Sequence, residues 1–275
     1  MLRFKVTAMN LRFLAPIGFW AVRHGFSLPG QAQRFIDNTH LRDLLNGLQI
    51  DCVIDVGANK GQHAQKLRRI GYKGRIVSFE PMPADFEVLR RVAASDPLWE
   101  VHDVALGRRS ETKAFNVITD RSGGTSYSSF LSPTVNDEIR DMETINVAVR
   151  RLDDVLANET GRLFLKVDTQ GFDVEVLRGA GGIMNRLLGL QSEISVNEIY
   201  EGSVHYTEAL DYYERLGFSL VNLAVVNRTR SNTILEYDCL MIRSRQLTTA
   251  ELGGDTKPAV TASAPHMLAN PTAAA

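Results

Sequence analysis

Apolar and polar positions along this chain follow two rhythms. Short apolar or β-rich runs fall at residues 52–56, 74–80, 99–105, 162–168 and 189–196. The first of them, 52–56, is nearly all apolar, as a strand buried on both faces of a parallel sheet must be. Between the runs, apolar side chains recur at helical spacing, predicting helices over 35–48, 62–70, 83–94, 173–187 and 207–216. Gly71 closes the second helix, Pro83 suits the first turn of the third, and Gly217 ends the last. The middle is less regular: 112–118 and 145–150 alternate as strands around a Ser- and Gly-dense loop at 120–132. Residues 218–226 and 232–242 read as a closing antiparallel pair. Alternating strands and helices predict one α/β domain with a mostly parallel sheet, helices on both faces, and a terminal hairpin that reverses the last strand. The expected division is an N-terminal helical extension over 1–50, the domain over 51–245, and a disordered Ala/Thr/Pro/Gly-rich tail over 246–275.

The run Cys52 to Val56 carries an acid, Asp55, and opens onto Gly57-Ala58-Asn59-Lys60-Gly61. The next strand ends in Glu80, followed by Pro81. A strand, a glycine-bearing turn, a helix and a second strand closing on a carboxylate are the layout for a nucleotide-like ligand, the carboxylate taking two ribose hydroxyls. A dinucleotide fingerprint wants G-x-G-x-x-G so that a pyrophosphate can dock on the helix N-terminus. Here Asn59 stands where the second glycine belongs, and Asp55 lies two residues before the turn. A carboxylate so placed repels a pyrophosphate and favours an ammonium or sulfonium group. The pattern fits S-adenosylmethionine better than NAD.

Composition adds bounds. The chain has 275 residues, 44% hydrophobic and 23% charged, with a formal net charge of −1, which gives no support for general nucleic-acid binding. Its two cysteines, Cys52 and Cys239, fall in predicted buried strands without zinc-type spacing, so the expected location is a reducing cytoplasm. Residues 11–22 are apolar but interrupted by Arg12 and followed by Arg23 and His24; the stretch is too short to span a bilayer. It reads as a helix packed on the domain, with peripheral membrane contact or a homodimer contact as the other uses of such a face.

Six short motifs occur in order: Val53-Ile-Asp-Val-Gly-Ala-Asn-Lys-Gly61, Phe79-Glu-Pro81, Val104-Ala-Leu-Gly107, Arg151-Leu-Asp153, Leu165-Lys-Val-Asp168 with Gly171, and Val176-Leu-Arg-Gly-Ala180. Together they resemble the FkbM-type S-adenosylmethionine-dependent methyltransferases over about 51–242. The resemblance implies a class I methyltransferase (Rossmann-like) fold, with a mostly parallel seven-stranded sheet. It also implies methylation of a hydroxyl on a sugar, glycolipid or secondary metabolite, the partner being a small-molecule or glycan acceptor. One departure stands out. Such proteins commonly carry Asp-x-Glu-Gly after the fourth strand, and this chain has Asp168-Thr-Gln170-Gly171. Replacing a carboxylate by an amide weakens a metal site there, because Mg²⁺ favours hard anionic oxygens; metal ligands are expected nowhere in the chain, and metal dependence stays open.

In this reading Asp55 attracts the positive methionine end, and Gly57, Ala58, Asn59 and Gly61 present backbone at close range. Glu80 takes the ribose hydroxyls, and Pro81 fixes the chain after it. Asp103 and Val104, at the end of the third strand, are placed for the adenine. Asp168 is the first candidate for the base, with Lys166 on the same side of its strand. Glu193 is an acid in an apolar strand, and His205 lies in the loop beyond it; both are further candidates. The loop around 122–129 is a candidate lid. Two other readings survive: an NAD-dependent oxidoreductase on a related sheet, and a non-catalytic methyltransferase-like binding protein.

Overall fold

The computed structural model describes residues 30–134, 139–229 and 231–246. The apolar stretch at 11–22 and the tail beyond 247 lie outside the described residues. The elements in chain order are α1 (Gly30–Gly47), β1 (Cys52–Val56), α2 (Gln62–Ile70), β2 (Arg75–Phe79), α3 (Pro83–Ala93), β3 (Trp99–His102), β4 (Ala105–Leu106), β5 (Glu111–Asp120) and β6 (Ile139–Arg150). They continue with α4 (Leu152–Val155), β7 (Leu163–Val167), α5 (Asp173–Arg178), β8 (Leu187–Ser195), α6 (Tyr206–Arg215), β9 (Phe218–Arg228) and β10 (Ile234–Arg243).

The main sheet has seven strands in the order β3-β2-β1-β7-β8-β10-β9. β10 is antiparallel to both β8 and β9, while β1, β2, β3, β7 and β8 run parallel. This is the seven-stranded sheet with a C-terminal antiparallel hairpin that the sequence led us to expect. Its central strands β1 and β7 are buried at every position. On one face Val53, Ile76 and Phe164 pack against Leu45 of α1 and Leu67 of α2. On the other, Ile54, Val77 and Leu165 pack against Val176 and Leu177 of α5 and Tyr213 of α6. Burying each such side chain contributes about 1.5–3 kcal/mol.

Two expectations are corrected. The predicted third strand over 99–105 ends at His102, and Ala105–Leu106 leaves the main sheet to pair with β6. There it joins a second, three-stranded sheet in the order β4-β6-β5. The irregular middle is therefore an organised ribbon: β5 and β6 pair from Glu111↔Val149 to Asp120↔Ile139, longer at both ends than the alternation indicated. The predicted helix over 173–187 also stops early, at Arg178. The run Gly179-Ala180-Gly181-Gly182 carries too little helix propensity to continue it.

The chain runs outward from β1 through β2 to β3 and then returns to β7 on the opposite side of β1. Such a reversal leaves a crevice at the C-terminal strand ends, where the first loops diverge. The loop after β1 enters it under tight constraint. Gly57 has φ +73°, and a Cβ there would lie 1.9 Å from the Asp168 carbonyl oxygen. The sequence had suggested that the small residue makes room for a ligand; the close neighbour is the backbone leaving β7. We expect Gly57→Ala to destabilise the protein by at least about 1–2 kcal/mol, the cost of a left-handed backbone alone. Urea denaturation checks this, and an unchanged midpoint would contradict the packing of the turn on β7.

Candidate active site

The crevice opens as a cavity of about 520 Å³. Its walls come from the 57–59 turn, the end of β2, the start of α2, β4, the loop after β5, and the ends of β7, β8 and β10. On its floor the strand register sets polar residues side by side. Ser78 pairs with Asp55, Asp55 with Lys166, and Lys166 with Gln191, all on one face.

Lys166 ties this row together. Its ammonium lies 3.5 Å from Asp55 and 3.4 Å from Asp168, and 3.4 Å from the Gly57 carbonyl oxygen, to which it donates. Asp55 is fully buried and accepts from the Ser78 hydroxyl at 3.3 Å, which in turn accepts from the Trp99 indole N–H at 3.0 Å. Burial raises the Asp55 pKa against the opposing pull of Lys166. Burial also opposes the Lys166 charge, but Asp168 and Asp55 outweigh it and the Lys166 pKa is raised. An ion pair of this kind is costly to break from one side.

Glu80, at the end of β2, is 5% exposed. One carboxylate oxygen accepts from the Asn59 amide at 2.7 Å and the other from the Met82 amide at 2.9 Å. A carboxylate has about four acceptor sites, so each oxygen keeps room for one further donor. Burial pushes the Glu80 pKa up to about 7, against the two backbone amides. The turn is held to β2 as well, Gly57 and Ala58 both donating to the Phe79 carbonyl.

At the other end of the cavity, three chain segments bring Asp168, Gln170, Glu193 and Tyr200 together. The Gln170 amide nitrogen donates to Asp168 at 2.9 Å and to Glu193 at 2.8 Å. Burial raises the Asp168 pKa, but the Lys166 charge and the Gln170 hydrogen bond outweigh it, so the net direction is down. Glu193 goes well up, through burial and the negative charge of Asp168. The two carboxyls, joined by one amide, are thus shifted in opposite directions, Asp168 down and Glu193 up. Asp168 is 38% exposed, opening into the cavity.

The sequence candidates divide accordingly. Gly57, Ala58, Asn59, Glu80, Pro81, Val104, Lys166, Asp168 and Glu193 line the cavity. Asp55 does not: it is sealed beneath the turn, where it meets Lys166 and not an incoming ammonium. Gly61 turns away too; a Cβ there would press on the Trp99 ring at 2.8 Å, so this glycine serves helix packing. Asp103 is exposed and outside the cavity, because the chain swings out between β3 and β4. His205 is also exposed, hydrogen-bonded to the Thr207 hydroxyl at 2.7 Å just before α6. The 120–132 loop, the candidate lid, lines the cavity: Thr125 donates to buried Asp85 at 2.7 Å, and Asp120 caps the turn through the Ser122 and Gly124 amides.

Sequence reasoning missed Gln170 and Tyr200 as members of the site, and Lys66 and Asp238 as cavity walls. Only Gln170 had a signal, its departure from the acid expected at that place. His63, at the start of α2, lines the cavity with a buried Nε2 that has no hydrogen-bond partner among the described residues.

The model of the methyltransferase FkbM domain matches residues 55–220. The chain belongs to that methyltransferase family. No curated protein matches it. Among solved structures it is similar to an rRNA methylase from Streptococcus thermophilus, at 12% identity and TM-score 0.42, over 74% of this chain and 94% of that one. It is also similar to magnesium protoporphyrin IX methyltransferase from Synechocystis PCC 6803 with bound SAM, at 10% identity and TM-score 0.40, over 85% and 94% of the two chains. Another is precorrin-6y C5,15-methyltransferase from Geobacter metallireducens GS-15, at 11% identity and TM-score 0.40, over 74% and 87%.

In this FkbM-family chain Lys166→Met should cost about 3–5 kcal/mol, because it leaves Asp55 buried without its counter-charge. The double variant Lys166→Met/Asp55→Asn should recover a large part of that loss. Chemical denaturation of the set measures it; equal stabilities of the single and double variants would contradict the pairing.

Proposed function

We propose that this chain is an S-adenosylmethionine-dependent O-methyltransferase acting on a hydroxyl of a sugar, glycolipid or secondary metabolite. The observation that carries the cofactor assignment is Glu80. It ends β2 beside the glycine turn, its two oxygens are held by the Asn59 and Met82 amides, and each keeps an acceptor site toward the cavity. That arrangement suits a vicinal pair of ribose hydroxyls. The turn lacks the second glycine of a pyrophosphate cradle, Asn59 standing in its place. Val104, with Leu106 and Met82 along the same wall, supplies apolar surface for the adenine.

S-adenosylmethionine, when bound, supplies a methyl group on a sulfonium, whose departure as a neutral thioether makes the carbon electrophilic. The protein has to align the acceptor and take its proton. Asp168 suits that task, because Lys166 and Gln170 keep it ionised while it faces the cavity. As the acceptor oxygen bonds to the methyl carbon, the acceptor proton passes to an Asp168 carboxylate oxygen. The products are the methyl ether, the neutral thioether and a protonated Asp168 that releases its proton to water. The cavity end with Asp168, Gln170, Glu193 and Asp238 offers several hydrogen-bonding groups, which suits a polyhydroxylated acceptor.

Calorimetric titration with S-adenosylmethionine, S-adenosylhomocysteine and NAD tests the cofactor. We expect both adenosyl ligands to bind and NAD not to; binding of NAD alone would overturn the reading. Affinity should depend on pH in a definite sense. With the free Glu80 pKa near 7 and its ionised form accepting the ribose hydroxyls, affinity should be about tenfold weaker at pH 6 than at pH 8. Glu80 is favoured as the acid in the folded ligand-free protein. Its stabilising contribution is thus full below its ordinary pKa and is lost as pH rises through about 7. Glu80→Gln should bind weakly and remove the pH dependence of affinity; a Glu80→Gln titration that still steepens through pH 7 would assign the effect to another group.

A further inference from the structure

We infer that Gln170 is a positioning residue whose carboxamide takes the place of a divalent cation between Asp168 and Glu193. The inference rests on the methyltransferase reading only for its consequence, that acceptor deprotonation proceeds without metal. Its basis is geometric. The Gln170 –NH₂ group has two hydrogens and directs one to each carboxylate, at 2.9 Å and 2.8 Å. The carbonyl end of the same amide faces the Tyr200 hydroxyl, whose one hydrogen is shared between Oε1 at 2.8 Å and the Tyr127 carbonyl at 2.9 Å. A flipped amide would set its oxygen against the Asp168 carboxylate, which has no hydrogen to give it. The backbone is held as firmly: Gln170 has φ +54°, the adjoining Gly171 has φ +90°, and the Ser129 hydroxyl donates to the Gln170 carbonyl at 2.7 Å.

A cation does not fit this donor set. Mg²⁺ or Mn²⁺ would need oxygen ligands closing to about 2.1 Å, and the atom facing both carboxylates is an N–H₂ donor. Two carboxylates and one amide converge here, and among the described residues no group of three or more His, Cys, Asp or Glu side chains is placed to hold a metal. Lys166 neutralises Asp168 from the other side at 3.4 Å. A glutamate at position 170 would remove both hydrogens, bring a third carboxylate to the same point, and leave the cluster in need of a cation.

The test is a titration with Mn²⁺ alone, followed by the paramagnetic signal of the free ion. It uses the full chain as wild type, Glu193→Gln, Gln170→Glu and Gln170→Glu/Glu193→Gln. Neither cofactor nor acceptor enters it, so its outcome is separable from that of the cofactor titrations. We expect no sub-millimolar Mn²⁺ site in the wild type. Gln170→Glu should gain one site on the order of tenfold tighter than any wild-type binding, and the double variant should lose it. A purely structural glutamine would give no such gain. A folded Gln170→Glu protein without a new Mn²⁺ site would overturn the proposal. So would a sub-millimolar wild-type site that Glu193→Gln abolishes, a measurement that stands even if Gln170→Glu does not fold.

Discussion

The Lys166 ammonium sits below the crevice between Asp55 and Asp168, 3.5 Å from one and 3.4 Å from the other, and donates to the Gly57 carbonyl. Removing a charge from water is expensive, and a buried cation persists only where opposite charge and acceptors surround it. That requirement binds three things that could otherwise move independently: the strand β1 that carries Asp55, the turn that follows it, and the strand β7 that ends in Asp168. The close approach of Gly57 to the Asp168 carbonyl is the steric side of the same junction. The turn after β1 and the Asp168 carboxylate are thereby fixed relative to each other, as the proposed in-line displacement demands.

From that junction the cavity extends in two directions with different chemistry. Toward β2, Glu80 is buried and anchored by backbone amides, so its orientation is set by the fold and its charge by ligand and pH. Toward β8, Asp168 and Glu193 are held at one point by an amide, and their environments push their proton affinities apart. The second sheet, which a linear reading leaves as an irregular middle, closes the wall through Phe115 and Phe130 and carries Thr125 to Asp85.

The parts legible in sequence were those encoded locally. The apolar run 52–56, the glycine turn and the acid closing 74–80 each sit within a few residues, and all fell where expected. The mostly parallel sheet and its closing antiparallel hairpin also followed, because alternating β and α units admit few arrangements. The failures have physical causes. The run at 99–105 spans a change of sheets after His102, marked only by the consecutive polar residues His102 and Asp103, and apolar residues resume at once on the far side. Ile183, Met184 and Leu187 extended an apparent helix across glycines that end it at Arg178. Asp55 carried the right type of group for a cationic ligand, but burial beneath the turn gives it to Lys166 instead. Gln170 could be flagged as a substitution, yet its bonds to Glu193 and Tyr200 cross 23 and 30 residues of chain and have no local signature.

A crystal structure with S-adenosylhomocysteine bound tests the central claim most directly, that one cavity holds the cofactor on Glu80 and aims it at Asp168. The account predicts both ribose hydroxyls on the Glu80 carboxylate, the adenine against Val104, and the sulfur facing the Asp168–Gln170–Glu193 end. An adenosyl group bound elsewhere in the cavity, with Glu80 untouched or the sulfur pointing away from Asp168, would contradict it.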